Sequence, residues 1–296
     1  MSVFVRQNNV CSDFKGSESW VILSTIERQI KEKIERIGKP LKDWDISINY
    51  GIKTGYNDAF IITGEKRKEL IEQDPKSDEI IRPILRGRDI KRYSYQFADL
   101  HIITTFPSLK IDIEEYPAVK QHLLSFGYDR LKQTGDPGAR KKANNQWFET
   151  QDTISYWDDF YKQKIVWAEL SRTGNSFTLD KSGFLLGNTG YILVVKENCN
   201  QDITYEYLVA LLNSKAILFY LDKISTRLDD TGWRWLRQYV EMLPIPQIDI
   251  SKQNYIKNYV IKEMGAITSI GQNFINSYVN DLYEFSNEEI DFIQSQ

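Results

Sequence analysis

Histidine and cysteine are scarce in this 296-residue chain. Its two cysteines, Cys11 and Cys199, stand far apart. That excludes a disulfide framework and a Cys-x-x-Cys zinc pattern, and it fits a reducing cytoplasm. The only histidines are His101 and His122, too few for an ordinary histidine metal site or a patterned acid–base pair. No apolar run approaches the roughly 18 residues that a membrane span needs. The first residues, MSVFVRQNNV, lack a charged start followed by an apolar stretch, which argues against a secretory signal. The sequence also lacks GxGxxG, GxxxxGK[ST], GxSxG and HExxH. It lacks the (Asn/Asp)-Pro-Pro-aromatic motif that holds a flipped base, and the Gly-rich strand-turn that binds S-adenosylmethionine.

What is present is aromatic residues and unevenly placed charge. The chain has 17 Tyr and 7 Trp, and its net charge is −3. A net acidic chain is a poor non-specific nucleic-acid coat, yet a specific reader depends on where its charge sits. Residues 82–92, RPILRGRDIKR, hold five basic groups against one acid, and so do residues 130–142, RLKQTGDPGARKK. The acids gather elsewhere, as in DIEEY and SNEEIDF. Such segregation predicts either one basic face on an acidic body or two solvated loops.

Hydrophobic periodicity gives the organisation. Residues 18–37 predict an amphipathic helix with Leu23, Ile26, Ile30, Ile34 and Ile37 on one face, stopped by Gly38 and Pro40. Ile46 and Ile48 alternate as in a half-buried strand; Gly51 and Gly55 bracket a turn, and Ala59–Ile62 predict a second strand. Residues 65–73 and 117–131 predict helices, and 101–106, 164–170, 177–180 and 191–196 predict strands. Residues 204–224 predict one apolar helix, or two meeting near Asn213-Ser214. LPIP (243–246) is expected to break the chain before a helical tail marked by Ile256, Val260, Met264 and Ile267. With no regular βαβ alternation, this is an α+β chain: a mixed twisted β-sheet domain flanked by amphipathic helices. The expected domains are a helical connector at 1–40, a central domain at 41–245 and a helical segment at 246–296.

One nuclease-like pattern occurs: Asp74, then Asp89-Ile90-Lys91. Two carboxylates and a lysine at such spacing can serve Mg²⁺-dependent cleavage. The pattern is permissive, and Asp89 stands among arginines that it would orient by pairing.

Five ordered blocks carry a stronger signal: GIKTGYNDAFII (51–62), IIRPILRGRDIKRY (80–93), LLNSKAILFY (211–220), LPIP (243–246) and INSYVNDLYEFSNEEIDFI (275–293). Together they resemble the TaqI-like C-terminal specificity (target-recognition) domain of Eco57I-like type IIG restriction-modification enzymes and adenine-specific DNA methyltransferases. The LNSK helix followed by Pro-Ile-Pro is also similar to type I restriction specificity subunits. The resemblance runs from about Arg6 to the last residues, and the DLYEFSNEEIDFI ending looks like the family's natural C-terminus. It implies a non-catalytic module that reads short duplex DNA sites through the major groove and works with a methyltransferase/endonuclease module in the same or a partner chain. S-adenosylmethionine and Mg²⁺ would serve only those catalytic modules, so no cofactor is expected here, and neither is a membrane. The rivals are a Mg²⁺-dependent nuclease using Asp74, Asp89 and Lys91, and an interaction module that has lost DNA binding.

The candidate DNA contacts follow from side-chain chemistry. Lys53 and Thr54, with Asn57, could touch phosphate from the glycine-bracketed turn. Arg86, Arg88, Lys91 and Arg92 could grip guanine or phosphate. Because the resemblance implies that this block is shared by proteins of different specificity, backbone contact or fold stabilisation is its expected job. The loop at 134–149 is the best candidate for reading sequence: Arg140, Lys141 and Lys142 suit guanine or phosphate, and Asn144 and Asn145, with Gln146, suit adenine. Arg172, with Thr173 and Asn175, tops a predicted hairpin. Arg227, Arg234 and Arg237 alternate with Trp233 and Trp235, although Asp229 and Asp230 weaken that segment.

Overall fold

The computed structural model describes residues 23–196, 203–225, 232–263 and 268–296. The chain forms two compact units: one of residues 1–46, 172–175 and 198–296, the other of residues 47–171 and 176–197.

The first unit is mostly helical. Its first described helix, Thr25–Ile37, begins at the Ser24 side chain, which caps it in a reciprocal box with Glu27; residues 18–22 of the predicted helix lie outside the described residues. Ile30 and Ile34 are its buried stripe. The apolar stretch 204–224 is two helices, Tyr205–Leu212 and Lys215–Ile224, with Ser214 capping the second. The tail supplies Ile250–Glu263, Ser269–Leu282 and Asn287–Ser295. Met264 and Ile267, expected on the tail's apolar stripe, lie outside the described residues.

LPIP does more than interrupt the chain. Pro244–Pro246 pairs antiparallel with Gly38–Pro40, a two-stranded ribbon short enough to tolerate prolines. Buried tyrosines satisfy its carbonyls: Tyr283 donates to Pro244 O at 2.5 Å and Tyr207 to Pro246 O at 2.8 Å. Lys33–Glu289 (2.6 Å) and Lys223–Glu27 (2.7 Å) then tie the Thr25–Ile37 helix to the tail and to the Lys215–Ile224 helix.

The second unit carries two four-stranded sheets. One runs in the order 177–180, 164–168, 190–195, 46–50, the last strand starting at the preceding unit's Ile46. The other runs 185–186, 81–85, 100–103, 61–63 and is mixed: Leu185–Leu186 pairs parallel with Ile84–Leu85, and the remaining pairs are antiparallel. The predicted α+β class with mixed sheets is the class observed. Two corrections are local. The strand expected from Ala59 begins only at Ile61, because Asn57–Phe60 makes a helical turn; Asn and Asp favour helix starts. The 117–131 helix is split at Gly127, whose φ is 89°.

Phe60, Ile103, Val119, Leu123, Leu131 and Phe148 share one core cluster of this unit; Ile84, Phe106, Phe160, Val166 and Ile192 share another. Inside it Lys164 and Asp180, both fully buried, form an ion pair. Asp180 also accepts the backbone N–H of Ser182 (2.8 Å) and Phe184 (3.0 Å), so the buried charge fixes a turn.

Candidate nucleic-acid interface

Three turns of the second unit meet around a cleft of about 470 Å³. Tyr50 and Asn57 enter from the first, Arg86, Gly87 and Arg88 from the second, and Gly187, Asn188 and Thr189 from the third, with Glu169 and Leu170 at the end of strand Lys164–Ala168.

Close backbone packing brings the turns together. A Cβ on Gly51 would stand 2.0 Å from Gly187 O, so only glycine permits the Ile52–Gly187 bridge beside it. Thr189 Oγ accepts Gly87 N–H at 2.8 Å, and Thr189 O accepts Glu169 N–H at 2.9 Å.

Arg86 is clamped. Its Nε and a terminal nitrogen donate to the two Asp89 oxygens at 2.9 and 2.7 Å, and its backbone N–H adds 2.8 Å to the same carboxylate. Burial raises the Asp89 pKa, but the Arg86 bonds outweigh it and hold the carboxyl below its ordinary value. Asp89 therefore orients an arginine, as the sequence suggested. Asp74 is engaged as well, accepting from Lys76 N and Ser77 Oγ at 3.2 Å each. Both carboxylates of the nuclease pattern already serve local structure.

Arg88 and Lys91 are exposed, Lys91 Nζ donating to Arg88 O at 3.0 Å. Arg92 is half-buried, and burial lowers its pKa. Lys53 is exposed, but Thr54 is buried. Its hydroxyl donates to Asn57 Oδ1 at 2.7 Å and accepts Tyr56 N–H at 3.1 Å, so Thr54 shapes the turn and has no face for phosphate.

Arg140 is the main correction. It was expected to grip guanine or phosphate, yet it is 2% exposed. Its guanidinium donates to Leu131 O at 2.7 Å, Thr54 O at 2.9 Å, Glu149 O at 2.7 Å and Trp147 O at 2.6 Å, with its carbon 5.1 Å from the Phe60 ring centre. Burial pushes its pKa down to about 10, which still leaves it charged at neutral pH. It pins the 134–149 loop from within and has no accessible fork for a base. Asn145 is likewise turned inward, donating to Thr150 O (3.0 Å) and Gln151 O (3.1 Å). Lys141, Lys142, Asn144 and Gln146 remain exposed on that loop.

The other candidates belong to the helical unit. Arg172 is exposed, whereas Asn175 is buried and donates to Leu212 O and Ser214 O at 2.8 Å each. Arg234 is half-buried beside the buried Trp235, and Arg237 is exposed with Nε 3.1 Å from Glu241. Arg227 lies outside the described residues.

Sequence reasoning passed over Tyr50, Glu169, Asn188 and Thr189. The available signal was position: Glu169 directly follows a strand, and Asn188-Thr189 sits between glycines.

A model of the TaqI-like C-terminal specificity domain matches residues 82–245. The chain belongs to that family. This specificity domain is similar to the Type II methyltransferase M.PaeR7I of Pseudomonas aeruginosa, 23% identical over 234 residues, or 78% of this chain and 38% of that one. Among solved structures it is similar to the Type IIL restriction-modification enzyme MmeI in complex with DNA, with TM-score 0.57 and 14% identity over 87% of this chain and 36% of that one. It is also similar to the type IIG restriction endonuclease BpuSI, with TM-score 0.51 and 13% identity over 90% and 34%. At those identities the structural likeness is one of fold. The specificity domain spans between 34% and 38% of the length of these relatives. No helix among its described residues is long and apolar enough to cross a membrane.

Proposed function

We infer that this specificity domain reads a short duplex DNA sequence and has no catalytic role of its own. The reading rests on the cleft of the second unit, where Arg86 and Arg88 stand with side chains able to meet base edges, Asn57, Asn188 and Glu169. Arginine suits guanine and phosphate, and the amide and carboxylate groups suit adenine and cytosine. Lys53, Lys91, Lys141 and Lys142, all exposed in the same unit, supply backbone contacts that set register. MmeI, similar in fold, was solved in complex with DNA. Arg92 and Asn144, in the same unit, stay in the proposal as further contacts; Arg172, Arg234 and Arg237, of the helical unit, stay as separate candidates.

The partner is a methyltransferase/endonuclease module in the same or another chain. S-adenosylmethionine and Mg²⁺ serve that module, and the working compartment is the cytoplasm. Asp89, held by Arg86, weighs against the nuclease reading.

Selection of random-sequence duplexes by the purified chain, without metal and at two salt concentrations, tests this. Enrichment of one short motif, with affinity falling as salt rises, is expected. Failure of every sequence to enrich, or metal-dependent cleavage, would overturn it.

A further inference from the structure

We propose that Asn57 is a specificity-determining residue that donates from its amide nitrogen to guanine, at N7 and O6 of the major-groove edge. This rests on the reading of the domain as a DNA reader, and it assigns one side chain of the cleft a base and a direction of donation.

Asn57 is exposed and lines the cleft together with Arg88. The two ends of its amide are not equivalent. The hydroxyl of Thr54, fully buried, donates to Asn57 Oδ1 at 2.7 Å, and the same Thr54 Oγ accepts Tyr56 N–H at 3.1 Å. Turning the amide over would set Nδ2 against Thr54 and leave a buried hydroxyl proton with no acceptor, which is costly. The oxygen is therefore tied back to the protein. The nitrogen donates to no group among the described residues and keeps both protons for a ligand.

Thr54 is itself held. Its carbonyl accepts Arg140 Nη1 at 2.9 Å and Gln151 N–H at 3.1 Å. The buried arginine that pins the 134–149 loop thus also steadies the turn that aims Asn57. A side chain supported in this way has the rigidity that discrimination between bases needs.

A free asparagine suits adenine, because its oxygen accepts from N6 while its nitrogen donates to N7. With the oxygen engaged by Thr54, the end of Asn57 left to the cleft is a donor. Guanine sets two acceptors, N7 and O6, side by side in the major groove. Adenine sets an amino group beside its N7, and thymine a methyl beside its O4. Two protons on one nitrogen match guanine.

The full chain, as wild type, Asn57→Asp and Asn57→Ala, is put through the random-duplex selection. Asn57→Asp keeps an acceptor for Thr54 and removes both protons, and melting checks that each variant folds. The wild-type motif is then remade one base at a time, with 7-deazaguanine for guanine and purine for adenine. At one guanine, loss of N7 is expected to weaken wild-type binding by about fivefold or more and to leave Asn57→Ala binding unchanged. Both variants are expected to lose the guanine preference there. The charge of the Asp variant lowers affinity for all duplexes alike, so the readout is preference at that position. If both variants keep the wild-type motif at every position, Asn57 is not a reader although the domain still is one. If Asn57→Ala is instead indifferent to amino deletion at an adenine that the wild type needs, the amide oxygen is the reading atom and the proposal is overturned. If the wild type enriches nothing, the reading of the domain fails first and this proposal with it. Should Asn57→Ala unfold, Asn57→Asp with the same analogues decides alone.

Discussion

The segments 82–92 and 130–142 carry the same charge, five basic groups against one acid, and the fold uses them in opposite ways. In the first, the acid is buried and an arginine reaches a cleft: Asp89 is 5% exposed and clamps Arg86, while Arg88 stands in solvent. In the second, one of the two arginines is buried: Arg140 donates to four backbone carbonyls, and Lys141 and Lys142 stay outside. Local charge density therefore does not mark which basic side chains reach the surface. What separates the two is the acceptors near each guanidinium. A carboxylate three residues away leaves Arg86 at the surface, whereas carbonyls left open by a loop without regular structure draw Arg140 inward.

The sharpest way to break this comparison is Arg140→Ala. Removing a buried cation from four carbonyls is expected to lower unfolding stability by about 3 kcal/mol or more, read by urea denaturation. A base-specific loss of DNA affinity with unchanged stability would restore Arg140 as a reader. Asp89→Ala comes next. It frees Arg86 and removes the acceptor of a backbone N–H, and a loss of about 1–3 kcal/mol is expected; a neutral result would mean that the clamp is idle. Arg88→Ala, on the solvent side, is expected to leave stability within about 0.5 kcal/mol. It should weaken binding to all duplexes alike and reduce the salt slope by about 1; a change confined to one base position would make Arg88 a reader.

The smallest effect concerns pH. Burial outweighs the Ala59 carbonyl and holds His122 below the ordinary imidazole value. The unfolded chain then takes up its proton first, so stability is expected to fall as pH drops below about 6.5. Melting at pH 7.5 and 5.5 checks this, and His122→Gln should flatten part of the dependence.

The fold was largely legible because it rests on periodicity. The strands Lys164–Ala168, Phe177–Asp180 and Gly190–Val195 and the helix break at Asn213-Ser214 all follow, within a residue or two, from apolar spacing and capping chemistry. LPIP was readable as a break but not as a strand, since its partner Gly38–Pro40 lies some two hundred residues earlier. The candidate site was legible only where local pairing decides, as for Arg86 and Asp89. Arg140 was misjudged because its acceptors come from Thr54, Leu131, Trp147 and Glu149, brought together only by folding. Glu169 escaped notice because a lone acid near a strand end carries no charge pattern.

Apart from one short excursion at residues 172–175, the second unit is a single uninterrupted stretch, 47–197, framed by segments of the helical unit. Under the function proposed above, such a layout suits inheritance by cassette: one specificity would replace another through two junctions, leaving the frame's ends untouched. The excursion sets the condition for a successful exchange. Asn175 anchors it to Leu212 O and Ser214 O at the helix break, so a transplanted stretch must bring a side-chain amide that finds the same two carbonyls in its new host.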